Sequence, residues 1–119
     1  MIGEEQDDDE MMAPAAKRVG PEDVPPVTLG RTRFEVIHWG RERGLGQNGG
    51  YIAAFDAATN KELWTLKVYD VAYDPDMEED VQDVFIEGLA PRGEDKLAVL
   101  DEKGRRYIVD PRQRSVLPE

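Results

Sequence analysis

Residues 50–68, GYIAAFDAATNKELWTLKV, read as one complete β-hairpin, and that reading decides the fold class. Tyr51, Ala53 and Phe55 alternate with Ile52 and Ala54, the period-two pattern of a strand. Over residues 62–69, Trp64, Leu66 and Val68 share one face of a returning strand. Between the two runs Asp56 opens a polar turn, and its carboxylate is suited to accept amides of that turn. The small alanines of the first strand allow another layer to approach closely.

On the N-terminal side, residues 33–39 (RFEVIHW) place Phe34, Val36 and His38 on one face and Ile37 and Trp39 on the other. Apolar groups on both faces imply burial on both. On the C-terminal side a second set of strands is expected over residues 84–89, 97–100 and 107–109, with a short final one at Val116 and Leu117. In LDEKGRRY, Asp101 opens a tight turn and Gly104 supplies the positive φ that a bulged hairpin loop requires. In VDPRQRSV, Asp110 precedes Pro111, whose fixed φ suits the second position of a type I turn. These two turns make residues 96–118 a three-stranded meander.

Between the two sets lies YDVAYDPDMEEDVQD. Asp74 before Pro75 reads as an N-cap followed by the imino acid favoured at the first helical position, with Asp76, Glu78 and Glu79 near the positive end of the dipole. Met77 and Val81 stand four apart, and the pattern predicts a short helix over residues 75–82. The expected architecture is therefore all-β: about seven antiparallel strands in two meander sheets, forming a small sandwich or a two-blade propeller-like fragment, with one short helix between them. A single β-domain spans residues 26–119. Residues 1–25 combine an acid run with Pro14, Pro21 and Pro25 and are poor in the β-branched and aromatic residues that would offset ordering entropy, so they are expected to form a disordered acidic arm.

An internal repeat supports two similar halves. The strand that ends at Asp56 and the strand that ends at Asp110 are each followed by a polar turn and a returning strand, and Trp64 and Leu117 fall in equivalent places. The residues Ala54, Asp56, Thr59, Asn60 and Trp64 in AFDAATNKELW resemble the blade repeat of pyrroloquinoline-quinone-type β-propeller proteins, whose alanine, aspartate, Thr-Gly turn and tryptophan join neighbouring blades. Asn60 stands where that family prefers glycine, a substitution compatible with the left-handed conformation. The resemblance covers residues 50–68, and this length supplies two blades where a closed propeller uses several. It implies structural roles for Asp56, capping its turn, and Trp64, packing on a neighbouring sheet. It carries over no cofactor, because in that family the cofactor occupies the channel of a complete ring.

Charge separates along the chain. Residues 1–25 and 70–83 carry −6 and −7 against a total of −11, leaving the rest at about +2. This balance disfavours duplex nucleic acid as a partner, since its phosphates would be repelled. The N-terminal segment has acids where a secretory signal needs a basic start, and no segment reaches membrane-spanning length. With no cysteine, a reducing cytoplasmic setting is the expectation.

The chemical inventory excludes more than it suggests. There is one histidine, His38, and one serine, Ser115, and no cysteine, so nucleophilic hydrolysis has almost nothing to recruit. One imidazole among oxygen ligands is a poor start for zinc, copper or iron. Calcium alone is worth weighing, with Asp74, Asp76, Glu78, Glu79 and Asp80 as candidate oxygens, although the EF-hand pattern fails and a solvated acidic segment explains the same residues. Residues 44–49 (GLGQNG) match G-x-G-x-x-G but lead into a strand rather than a helix, so they read as a flexible hairpin loop and not as a dinucleotide site. The expected function is a non-enzymatic protein-interaction or assembly module, binding a protein partner or itself, with no cofactor. Arg41, Arg43, Asp80 and Asp83 are its interaction candidates, and Asp56, Trp64, Gly104 and Asp110 its structural ones. The alternative is a small-molecule or calcium binder using the acidic 74–83 loop or the glycine-rich 40–50 loop.

Overall fold

The computed structural model describes residues 20–78 and 81–119. The protein is all-β, with eight strands in two antiparallel four-stranded sheets. The first sheet runs in chain order through β1 (Val27–Leu29), β2 (Thr32–Ile37), β3 (Tyr51–Asp56) and β4 (Glu62–Lys67). The second runs through β5 (Ile86–Arg92), β6 (Lys96–Asp101), β7 (Arg106–Asp110) and β8 (Ser115–Pro118). The eighth strand is β1, whose three residues pair Val27 with Phe34 and Leu29 with Thr32 across a turn at Gly30. So short a run, directly after two prolines, carries almost no period-two signal. β2 also stops at Ile37, leaving His38 and Trp39 beyond the ladder.

Register makes each half a regular meander. In the first sheet Val27, Phe34, Ala54 and Trp64 lie in one row across the strands, as do Val36, Ile52 and Leu66. In the second, Leu97, Val109 and Val116 form one row, and Val99, Tyr107 and Pro118 another. These faces meet in a common core of Phe34, Ile52, Ala54, Leu97, Val99 and Val109, each at most 2% exposed, joined by Val68, Tyr69, Val84 and Ile86 from the chain between the sheets. Burying such side chains contributes about 1.5–3 kcal/mol each. A smaller cluster of Ile37, Tyr51 and Ala53, with Leu45 and Phe55, occupies the other face of the first sheet.

The turns follow the aspartates. The Asp56 Oδ1 accepts the amides of Ala58 (2.9 Å) and Thr59 (3.1 Å), and Asn60 takes φ of 64°. The Asp110 Oδ1 likewise accepts Arg112 (3.0 Å) and Gln113 (3.3 Å), with Arg114 at φ of 54°. Gly104, at φ of 87°, donates its amide to the Asp101 carbonyl. Asp101 does more than turn the chain. Fully buried at the end of β6, its carboxylate accepts the amides of Lys103 and Arg105 on Oδ1, and the Arg105 Nε–H (2.8 Å) and the Tyr107 hydroxyl (2.9 Å) on Oδ2. Burial pushes this carboxyl up, but the donors from Arg105, Tyr107 and Lys103 outweigh it and hold it below the usual aspartate range. Tyr107 in turn stacks on Tyr69 at 5.2 Å between ring centroids.

The glycine-rich stretch is divided, with residues 41–44 exposed and Gly40, Gln47, Gly49 and Gly50 packed into the body. Gly40–Arg43 form one turn of 3₁₀ helix, ended by Gly44 in the left-handed region. Gln47, 5% exposed, donates through Nε2 to the carbonyls of Gly49 (2.8 Å) and Tyr69 (2.9 Å) and accepts the Val71 amide at Oε1 (2.9 Å). The glycines permit close backbone approach: a Cβ on Gly49 would stand 2.2 Å from the Val84 carbonyl oxygen. Gly49→Ala is therefore expected to cost about 1–3 kcal/mol by overpacking, read as a lowered urea midpoint at unchanged slope.

Residues 73–82 fall outside the unit formed by residues 21–72 and 83–119. Their described part contains turns at Pro75–Asp76 and Val81–Gln82 in place of the expected helix. The Asp74 Oδ1 accepts the Asp76 amide, closing a turn two residues on, and the Gln82 side chain donates to the carbonyls of Asp74, Met77 and Glu78 while accepting the Asp74 amide. Side-chain partners thus take backbone groups that a helical ladder would have used. Most of the predicted disordered arm lies outside the described residues, as do Glu79 and Asp80. No helix among the described residues is long and apolar enough to cross a membrane.

Candidate interaction face

The second sheet has two faces of different fate. Its inner face carries Leu97, Val99 and Val109 into the core, whereas its outer face presents Ala90, Ala98, Ile108 and Leu117 in one row. On one side of that row lie Gly88, Leu100 and Arg106; on the other lie Arg92, Lys96 and Asp110 with Ser115. Leu117 is 68% exposed, the most exposed large apolar side chain of the described residues. A shallow depression of about 370 Å³ is floored by Gly88, Ala90, Ala98 and Leu100. Arg92, on the edge strand β5, and Glu119, just beyond the opposite edge strand β8, both line it and bridge each other at 2.6 Å, and Lys96 lies 3.8 Å from Asp110.

The repeat gives this face its meaning. Matching the Asp56 turn to the Asp110 turn aligns Val27, Phe34, Ala54 and Trp64 of the first sheet with Ala90, Ala98, Ile108 and Leu117 of the second. The first four face the shared core; the second four face outward. Equivalent faces are therefore used in the same sense, each sheet offering this row to whatever follows it. The first sheet offers it to the second, and Trp64, beside Phe34 at 5.9 Å, lies under the Arg114 guanidinium at 5.2 Å. The second sheet offers it to no element of the chain among the described residues.

The far face of the first sheet is finished differently. The Arg33 guanidinium lies 4.9 Å above the Phe55 ring and pairs with Glu35 at 2.7 Å and with the Asn60 Oδ1 at 2.8 Å. Arg43 reaches both Glu62 oxygens, at 2.7 and 2.6 Å, while the Thr65 hydroxyl donates to Glu62. The Arg43 guanidinium, then the Thr65 hydroxyl, hold the Glu62 carboxyl below its usual range. Leu45, just beyond the 3₁₀ turn, covers the apolar cluster beneath. Ion pairs thus lie on both outward faces, Arg33–Glu35 and Arg43–Glu62 on the first sheet and Arg92–Glu119 on the second.

The remaining candidates take structural places. Arg43 is held by Glu62, and Asp83, 4% exposed, accepts the Asn48 side-chain amide at 3.1 Å. The exposed Arg41 donates its backbone amide to the Asn48 Oδ1. His38 Nε2–H donates to the Ile86 carbonyl at 3.2 Å, and its ring meets Phe85 edge-on at 5.7 Å. Ser115 begins β8 opposite Asp110. Asp74, Asp76 and Glu78 are exposed, and no group of three or more His, Cys, Asp or Glu side chains among the described residues is placed to hold a metal ion. Sequence reasoning missed the outer face and read Asp101 as the opener of a turn without its burial. Both had a signal in KLAVLD: alternation puts Asp101 with Leu97 and Val99, and leaves Ala98 and Leu100 as an apolar opposite face. No family model, no curated protein and no solved structure matches the chain.

Proposed function

We propose that this chain is a non-enzymatic protein-interaction or assembly module whose docking surface is the outer face of the second sheet. The observation that carries the reading is the equivalence of an outward-facing row, with Ala90 and Leu117 exposed and Ala98 and Ile108 half-buried, to a core-facing row, with Phe34 and Ala54 buried and Val27 and Trp64 half-buried. Units that stack in one sense leave such a row facing outward at the end of the stack, here with Leu117 exposed beside the Arg92–Glu119 bridge. The blade-type repeat proposed from the 50–68 segment agrees with this stacking. A reducing, cytoplasmic setting is proposed with it, on the lack of cysteine.

Leu117→Arg tests the reading, because the side chain is exposed and its replacement leaves the core untouched. Folding stability is expected to change by no more than about 0.5 kcal/mol. A partner co-purified with the full chain is expected to be lost with the variant and retained with Leu63→Arg, an equally large change at an exposed apolar position of the first sheet. Equal retention by both variants would refute the outer face as the docking surface.

A further inference from the structure

We infer, resting on that reading, that the partner brings to the outer face a peptide segment in which a carboxylate side chain adjoins a bulky apolar one, with the carboxylate on Arg106 and the apolar group over Ala90 and Ala98. The depression is lined by Gly88, Ala90 and Ala98 together with two guanidiniums, Arg92 and Arg106, and one carboxylate, Glu119. Arg92 and Glu119 are already paired, at 2.6 Å. Arg106 stands opposite Leu100 on the same face, and its backbone carbonyl accepts the Glu119 amide at 2.9 Å. Among the described residues no carboxylate pairs with its guanidinium. The lining therefore carries one positive charge in excess, on a chain whose net charge is −11.

Charge decides which partner fits. A wholly apolar one would dry the depression and leave Arg106 without a counter-charge, the costly way to cover an ion. A basic one would set a third cation against the two guanidiniums. One incoming carboxylate makes the site neutral, two charges of each sign, and a guanidinium takes a carboxylate through two parallel N–H···O bonds. Under an apolar cover the new pair is screened less than it would be in water. Size agrees with charge. Ala90 and Ala98 hold the places that Val27 and Phe34 hold in the first sheet, and their short side chains leave the space of the depression to a group from outside. Glu119 supplies discrimination: it keeps Arg92 occupied and stands as a like charge against a second carboxylate, so the site takes one acidic group and not a run of them.

The test titrates the isotope-labelled full chain with the peptide acetyl-Ala-Leu-Glu-Leu-Ala-amide and with its twin carrying glutamine for glutamate, following the amide signals of Ala90 and Ala98 by nuclear magnetic resonance. The acidic peptide is expected to bind about 3- to 10-fold more tightly than the twin at low ionic strength. Arg106→Gln is expected to erase that difference and leave the twin's affinity as it was. Glu119→Gln removes the like charge and releases Arg92, and is expected to raise the affinity of the acidic peptide about 2- to 5-fold. Both side chains belong to exposed residues, so the two variants are expected to keep the urea midpoint of the parent. Equal binding of the two peptides, a preference that survives Arg106→Gln, or no shift at Ala90 and Ala98 with either peptide would overturn the inference. If it is overturned while a co-purified partner is lost with Leu117→Arg and kept with Leu63→Arg, the outer face stands as the docking surface and only the acidic segment falls; equal retention by those two variants removes both.

Discussion

Asp101→Ala is expected to lower folding stability by about 3–5 kcal/mol, read as the urea midpoint of the full chain at pH 7. The carboxylate is fully buried and accepts four donors, two of them backbone amides of its own turn. Alanine leaves those amides and the Tyr107 hydroxyl without an acceptor at the edge of the core, and the cost is that of unmade hydrogen bonds more than of a lost ion pair. Arg105 is 55% exposed, so water compensates that partner. Tyr107→Phe removes one donor and no acceptor, and is expected to cost only about 0.5–1.5 kcal/mol. The same carboxylate gives the protein an acid limb. Its folded value lies below the usual one, so its contribution is fully present above about pH 3.9 and is lost as pH falls through the lowered folded value. Asp101→Asn should flatten that limb while leaving the slope above pH 5 unchanged; an identical acid limb in the variant would show that other carboxylates produce it.

Phe34→Ala is expected to cost about 3–5 kcal/mol, and the reverse exchange at the equivalent place in the second sheet, Ala98→Phe, less than about 0.5 kcal/mol in dilute solution. The two positions hold the same register in their sheets. Phe34 is 2% exposed and packs against Ile52, Ala54 and Trp64, so its removal opens a cavity between the layers. A ring added at Ala98 enters the depression on the outer face, against the side chains of Arg92 and Glu119, and leaves the core untouched. A large loss from Ala98→Phe would mean that the outer face is already covered.

The legible and illegible parts of this fold divide along physical lines. Strands with two-sided apolar alternation and Asp-led turns were readable, because period two and turn chemistry are local properties. β1 was not, since three residues on an edge need only the pairing that β2 provides. The helix expected at 75–82 failed for the opposite reason: a cap and a favourable first turn are present, but so short a segment lacks the docking that would offset nucleation, and Asp74 and Gln82 take its backbone groups instead. The close packing at the end of the glycine-rich loop was not legible, because composition alone does not distinguish glycine chosen for freedom from glycine chosen for closeness; Gly49 against Val84 is the second kind. The interaction candidates were sought among charges, and the structure places Arg43 in an ion pair and Asp83 inside the body. The outer face announces itself only when the two halves are compared in register, because no single strand shows that its apolar side lacks a neighbour.

The central claim is that equivalent rows of the two sheets face the core in one and outward in the other, and matched thiols measure it directly. Ala54→Cys and Ala98→Cys make the same chemical change in corresponding rows, in a chain with no other cysteine. At submicromolar protein, reaction with a maleimide is expected to proceed at nearly the rate of a free thiol for Ala98→Cys and to be slower by about 100-fold or more for Ala54→Cys, which must await opening of the core. Equal rates for the two thiols would contradict the account.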